Sequence, residues 1–368
     1  MLLLSDEQVQ DLITADMCLE SLEQAYRELG QGWAGSSKRT DIITAHARSD
    51  NQEPCHGLKS MMGVVSGIKV GAIRINSDII TWLSSEAGMK RVKLPKAPGG
   101  RYTALVLLFS TRTGELLSLF PDASIQRMRV GATSALGAKY LSRQNSEVLG
   151  VYGSGWQAGA HLMAAAKVRN IKKVLVYSPN RERCRAFCSQ MASLLEMEVE
   201  PSPEPADVMR AADIVMSCTN SLDQVILGKR LREGMYICSV KPGEIDLDAY
   251  ERAEVLILNT RQAGPADYLI NGGREVPPGL VKERKSYIDG FDPAAYGRID
   301  WQNLPLLSDV ISGKGPQRES DAQITCFSNN LGIGMQFAAV GHAVYRAAKE
   351  KGIGKELPSE WFSQLNHP

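Results

Sequence analysis

Gly153, Gly155 and Ala158 stand at the spacing that seats a pyrophosphate. They belong to the run Gly153-Ser154-Gly155-Trp156-Gln157-Ala158-Gly159. The run follows the apolar stretch Val148-Leu149-Gly150-Val151-Tyr152. It opens into His161-Leu162-Met163-Ala164-Ala165-Ala166, a good helix former. A strand, a glycine turn and a helix in that order make a dinucleotide cradle. Gly153 permits the tight turn, Gly155 lets the backbone approach the pyrophosphate, and Ala158 lets helix and strand pack closely. The free N–H groups and dipole at the helix start favour the anion. The ligand expected there is a nicotinamide or flavin dinucleotide.

The tip of the next strand bears on which dinucleotide. NAD-specific proteins place Asp or Glu about 20 residues past the glycines to hold the ribose hydroxyls. Here Val174-Leu175-Val176-Tyr177 ends in Ser178-Pro179-Asn180-Arg181, with no carboxylate. Ser178 and Asn180 offer neutral hydrogen bonds, and Arg181 offers a guanidinium suited to a 2′-phosphate. The reading favours NADP(H) over NAD(H). The alternative is that Ser178 caps the next helix and Arg181 is solvated.

Elements on both sides must position this turn. Strands read at 147–152, 173–178, 213–217, 235–240 and 254–259, with a weaker one near 197–200. Helices read at about 156–168, 180–195 and 204–212. This alternation predicts a parallel sheet covered on both faces, with the turn at its carboxyl edge. Before it, Ser5-Asp6-Glu7-Gln8 has the form of a capping box, and two helical patterns end near Gly30. Strand patterns follow at 68–75, 103–109 and 116–120, the last two joined by a turn at Thr113-Gly114. A helix spans about Ser124 to Leu141. The stretch 260–315 is loop-rich and reads as a solvated excursion, with an active-site lid as the alternative. A last helix, Asn330 to Lys351, is expected to pack back on the first region. The fold class is therefore α/β: a Rossmann dinucleotide-binding domain (131–315) inserted into a discontinuous α+β substrate/dimerisation domain (1–130 and 316–368).

The 368 residues are 43% hydrophobic and 23% charged, with a net charge of +1, so nothing electrostatic favours nucleic acid or an anionic membrane. No apolar stretch approaches the roughly 20 residues needed to span a bilayer. The start, Met1-Leu2-Leu3-Leu4-Ser5-Asp6-Glu7, lacks the basic region and long apolar core of a signal peptide. A cytoplasmic protein is expected. The seven scattered cysteines form no CxxC pair and read as reduced thiols, and the five histidines show no metal spacing.

The segment Arg129-Val130-Gly131-Ala132-Thr133-Ser134-Ala135-Leu136-Gly137-Ala138-Lys139-Tyr140-Leu141 resembles the arginine-led helix of the ornithine cyclodeaminase/μ-crystallin family. The turn with its Gln157-Ala158 and His161 is similar to that family's cofactor turn. Asp213-Ile214-Val215-Met216 with Thr219-Asn220, and Phe327-Ser328-Asn329-Asn330-Leu331-Gly332, resemble two later stretches. The resemblance implies a homodimer and an enzyme exchanging hydride between nicotinamide C4 and the amine-bearing carbon of a 2-amino or 2-imino acid. It also implies roles for Lys69 on an inner strand, Arg129 at the helix start, and Arg39 as a further substrate arginine. Lys69 interrupts an otherwise apolar strand. Arg48, His46 and Lys59 lie near Arg39 and compete for its place. Thr219 and Asn220 join the cofactor-binding set.

Two departures narrow the activity. Where the family's cyclodeaminases carry a catalytic Asp before a Pro-Gly pair, this chain has Val240, followed by Lys241-Pro242-Gly243-Glu244-Ile245-Asp246. A valine accepts no proton, so an imine reductase or amino-acid dehydrogenase is expected. A cyclodeaminase-like lyase that recycles its cofactor and a non-catalytic NADPH-binding protein are the alternatives. Glu244 or Asp246 could stand in for the missing Asp. The strand continuation Arg74-Ile75-Asn76-Ser77-Asp78 is polar and points to a distinct substrate pocket.

Overall fold

The computed structural model describes residues 1–44, 54–85, 88–221, 223–262, 266–271, 274–276 and 296–366. Two sheets organise them. The first is mainly antiparallel and has 11 strands among the described residues. Its centre is a meander of Thr40–Thr44, Cys55–Val65, Val70–Ser85, Thr103–Ser110 and Leu116–Pro121. Residues alternate between faces along each strand. Cys55, Gly57, Lys59, Met61, Gly63 and Val65 point inward, while Leu58, Met62 and Val64 point out.

The second sheet has, among the described residues, seven parallel strands in the order Glu198–Pro201, Lys173–Tyr177, Val148–Tyr152, Ile214–Ser217, Tyr236–Ser239, Thr325–Ser328, Val255–Leu258. This is the doubly wound order with one strand inserted between the fifth and the last. The glycine turn leaves the central strand Val148–Tyr152, where the direction of winding reverses.

The chain crosses between the sheets more often than the expected boundaries allow. Thr325–Ser328, placed beyond the boundary at 315, lies inside the parallel sheet. Ala266–Asn271, placed within 131–315, pairs with Thr40–Thr44 in the first sheet. Strands this short carry no periodicity that names their partner, which explains both differences. The charged run at 282–285 lies outside the described residues.

Local signals fare better. The Ser5 capping box forms with both bonds, 3.3 Å from the Gln8 N–H to Ser5 Oγ and 2.9 Å from the Ser5 N–H to Gln8 Oε1. Gly114 has φ +76° in its hairpin turn. The strand expected from Ile68 starts at Val70, and the last helix runs Met335–Lys351 rather than from Asn330. The helix Ala123–Leu141 is buried along most of its length and joins the two layers. The seven cysteines are all buried. No described helix is long and apolar enough to cross a membrane.

Candidate active site

Gly153 has φ +102°, and its N–H donates to Tyr177 O at 2.8 Å. A Cβ there would stand 2.8 Å from Cys218 O, so both conformation and space call for glycine. Gly155 is the N-cap of the helix Trp156–Val168 in an extended conformation, and no side chain caps that helix. Open space surrounds the position a Gly155 Cβ would take. Ala158 is fully buried. Uncapped N–H groups, a positive helix end and an unobstructed approach fit a dinucleotide pyrophosphate. Gln157 Oε1 is buried without a partner beside this turn. Arg127, which the sequence reading did not assign, brings a cation to the same spot. Its Nε donates to Trp156 O at 2.9 Å, and its guanidinium lies 5.3 Å from the Trp156 ring centre.

On one side of the turn lie Ser178, Asn180 and Arg181. Asn180, not Ser178, caps the next helix: its Oδ1 accepts from the Arg183 N–H at 2.9 Å. Arg181 is 69% exposed and only 3.9 Å from Glu204 Oε1, a loose contact that leaves it able to move. On the other side are Thr219 and Asn220, just past the strand Ile214–Ser217. The structure thus brings the expected cofactor residues to one edge.

Arg129 is buried in the first turns of Ala123–Leu141. Its Nη1 donates to Gln336 Oε1 at 2.9 Å and its Nη2 to Gln126 Oε1 at 2.8 Å, while its Nε has no partner. Among the described residues it pairs with no carboxylate. Burial first, then the charge of Arg74, pushes its pKa down to about 9. Gly332, in the loop after Thr325–Ser328, approaches so closely that a Cβ would meet Arg129 Nη1 at 2.3 Å. Arg129 therefore sits at the carboxyl edge of the parallel sheet.

The first sheet supplies further cations, each held by an acid. Arg74 Nε donates to Asp122 Oδ2 at 2.6 Å. Arg39 makes a bidentate pair with Asp41, at 2.8 and 2.6 Å. Lys59 Nζ lies 2.8 Å from Asp78 Oδ2, which Lys93 also reaches at 2.9 Å. Those two lysines lower the Asp78 pKa against its burial. Arg74, Asn76 and Asp78 share the inner face of their strand, all buried, so the polar continuation lines the interior. His46 and Arg48 lie outside the described residues.

Lys69 is the main correction. It was expected on the inner strand, but it occupies the turn before Val70, with φ +57°, and is exposed. Its N–H donates to Ser66 O, closing that turn. The inner-strand cation beside Arg129 is Arg74. Lysine in the glycine-led turn Ser66-Gly67-Ile68-Lys69 looks in sequence like a strand residue because Ile68 and Val70 flank it.

Val240, just past the strand Tyr236–Ser239, brings no acid. Asp246 is occupied as the N-cap of Leu247–Arg252, its Oδ1 accepting from the Ala249 and Gly228 N–H groups at 2.8 Å each. Glu244 is fully buried, accepts from Thr219 Oγ1, and keeps Oε2 without a partner. Burial raises its pKa.

His161 ties the layers together. It is fully buried, and burial pushes its pKa down to about 4, so the ring is neutral. Nδ1–H donates to Gln157 O at 2.8 Å, which leaves Nε2 to accept from Ser134 Oγ at 3.0 Å. Ser134 Oγ in turn accepts from Asn329 Nδ2 at 3.0 Å. Asp122, Gln126 and Gln336 carry no signal in the sequence, since polar residues in helices or at their starts give no hint of what they will face.

A model of the ornithine cyclodeaminase/mu-crystallin family matches residues 82–352. The chain is 27% identical over 362 residues to an alanine dehydrogenase of Archaeoglobus fulgidus, covering 97% of this chain and 98% of that one. It is 26% identical to a Delta(1)-pyrroline-2-carboxylate reductase of Bacillus cereus, over 69% of this chain and 73% of that one. The solved Delta(1)-pyrroline-2-carboxylate reductase of Thermococcus litoralis, in complex with NADH and L-proline, superimposes with a TM-score of 0.74. It has 26% identity and covers 97% of this chain and 100% of that one.

Proposed function

The chain belongs to the ornithine cyclodeaminase/mu-crystallin family, and on that premise we propose that it is a nicotinamide-dependent oxidoreductase acting at the imine carbon of a 2-imino or 2-amino acid. The relatives named above, dehydrogenases and reductases of such compounds, support the reading. The observation that carries it is Arg129: a buried guanidinium with unclaimed N–H donors and no acid partner among the described residues, facing the edge where the cofactor docks.

The bound dinucleotide would supply or accept the hydride. The chain's own residues do the rest. Arg129 grips the substrate carboxylate, with its plane fixed by Gln126, Gln336 and the ring of Phe337, 5.2 Å away. Arg74 adds positive charge while Asp122 offsets it. Arg39 and Lys59, steadied by Asp41 and Asp78, form the polar wall toward the substrate side chain. Gly153 to Ala158 hold the pyrophosphate, and Thr219 and Asn220 border the nicotinamide half. A cyclodeaminase step would need an acid where Val240 stands, which disfavours ammonia loss.

The finer cofactor preference is NADP(H). Its support is the strand tip at Ser178 to Arg181, which lacks a carboxylate and carries a loosely held arginine. A homodimer is supported by the outer face of the first sheet, where Ile42, Leu58, Met62, Val64 and Ile270 are exposed large apolar residues.

The test follows nicotinamide absorbance while 2-oxo acids with ammonia or methylamine, and cyclic imines, are offered with NADPH and NADH. Oxidation with one of these amine–acid sets supports the reading. Inertness toward all of them, with cofactor bound, rejects it.

A further inference from the structure

We propose that Glu244 fixes the hydrogen-bonding sense of Thr219, so that Thr219 meets the nicotinamide carboxamide N–H of the bound dinucleotide as an acceptor. This rests on the dinucleotide reading above. Thr219 lies just past Ile214–Ser217, on the side of the glycine turn away from Lys173–Tyr177. In a doubly wound sheet that side receives the second nucleotide half. Cys218 O, one residue earlier, lies against Gly153.

A hydroxyl has one proton and two lone pairs. The Thr219 proton is directed at Glu244 Oε1, and one lone pair receives the Ser221 N–H at 2.9 Å. One lone pair is left, on a side chain that is partly exposed at the sheet edge. Glu244 beneath it is fully buried, with Oε2 unpartnered.

A carboxylate is not needed to stitch this loop together. The Val225 and Ile226 N–H groups already donate to the Glu244 backbone carbonyl at 2.8 and 2.9 Å. What the ionised side chain adds is compulsion, because it can only accept and Thr219 must therefore donate inward. A protonated Glu244 could donate instead and reverse the hydroxyl.

The groups facing Glu244 are Cys218 at the end of Ile214–Ser217, Cys238 in Tyr236–Ser239, and Lys241, whose Nζ donates to Ser221 O at 3.1 Å. Both thiols are pushed up by burial and stay neutral, so Lys241 is the charge that opposes the burial effect on Glu244.

The experiment measures dissociation constants by cofactor fluorescence, without substrate. It compares NADPH or NADH, whichever binds more tightly, with its reduced 3-acetylpyridine analogue, in which a methyl replaces the carboxamide NH2. Wild type should prefer the natural cofactor by about 3- to 10-fold at pH 8, the value of one hydrogen bond, and lose that preference as pH falls and Glu244 protonates. Thr219→Val and Glu244→Met should abolish the preference. Glu244→Gln, whose amide can donate as protonated Glu244 can, should hold it at the low-pH level of wild type and make it independent of pH. An undiminished preference in Thr219→Val, or a pH-dependent one in Glu244→Gln, overturns the proposal. If wild type binds no dinucleotide at all, the underlying reading fails instead.

Discussion

Arg74 and Arg129 flank one phenyl ring: their guanidinium carbons stand 5.6 and 5.2 Å from the centre of Phe337, yet only Arg74 has a carboxylate, Asp122, as partner. The ring stacks two buried cations side by side and leaves the second unneutralised. Replacing Phe337 by Leu removes that support, with cation–π contacts of about 1–2 kcal/mol at stake. The expected outcome is a rise in substrate KM of roughly 10-fold. Dinucleotide affinity, read by fluorescence titration, should stay unchanged.

Asp122 neutralises Arg74 in a site where both side chains are buried. Breaking a buried pair by deleting one partner costs about 3–5 kcal/mol, because the other charge is stranded. Asp122→Ala should lower the urea midpoint clearly. The double variant Arg74→Met/Asp122→Ala should recover part of that loss. A single variant as stable as wild type would show that water reaches Arg74.

On the proposed preference for NADP(H), Arg181 is the residue that would meet the 2′-phosphate. Its loose contact with Glu204 leaves it free to swing to a 2′-phosphate. Arg181→Ala should weaken NADPH about 10-fold, the loss of one charge-assisted contact, and leave NADH nearly untouched. Equal effects on both cofactors, or none, would assign the preference elsewhere.

His161 gives the fold an acid sensitivity. Its folded pKa is about 4, whereas an unfolded histidine titrates near 6.5. The neutral ring's contribution is therefore complete above about pH 6.5 and drains away as pH falls toward 4. At pH 5 the loss is about 2 kcal/mol. His161→Gln lacks this titration, so the stability gap between wild type and variant should narrow from pH 7 to pH 5 in urea titrations. A constant gap would mean that His161 is exposed to solvent, and a widening one that it is charged in the folded protein.

Much of the architecture was legible in the sequence because its signals are local. The glycine turn, the alternation after it and the Ser5 capping box each depend on residues within one turn or strand of one another. What stayed hidden depends on distant partners. Thr325–Ser328 slots between Tyr236–Ser239 and Val255–Leu258, and a strand of four residues cannot announce that position. Lys69 looked like an inner-strand cation, and only the actual turn at 66–69 shows that Arg74 holds that place. The acids that hold Arg74, Arg39 and Lys59 were invisible as partners, since Asp122 lies 48 residues from Arg74 and Asp78 lies 19 from Lys59. Arg129 was readable by its family resemblance, but its lack of a counter-ion is a property of the packed site alone.

The account stands on Arg129 as the carboxylate anchor, and one comparison tests it. Arg129→Met and Lys69→Ala should be assayed for kcat/KM on the best amine–acid substrate, with dinucleotide affinity measured on the same preparations. Arg129→Met should lose about 3 kcal/mol of transition-state stabilisation, roughly 10²-fold in kcat/KM, while binding cofactor normally, and Lys69→Ala should stay near wild type. Wild-type turnover in Arg129→Met, or its collapse in Lys69→Ala with cofactor bound, would contradict the account.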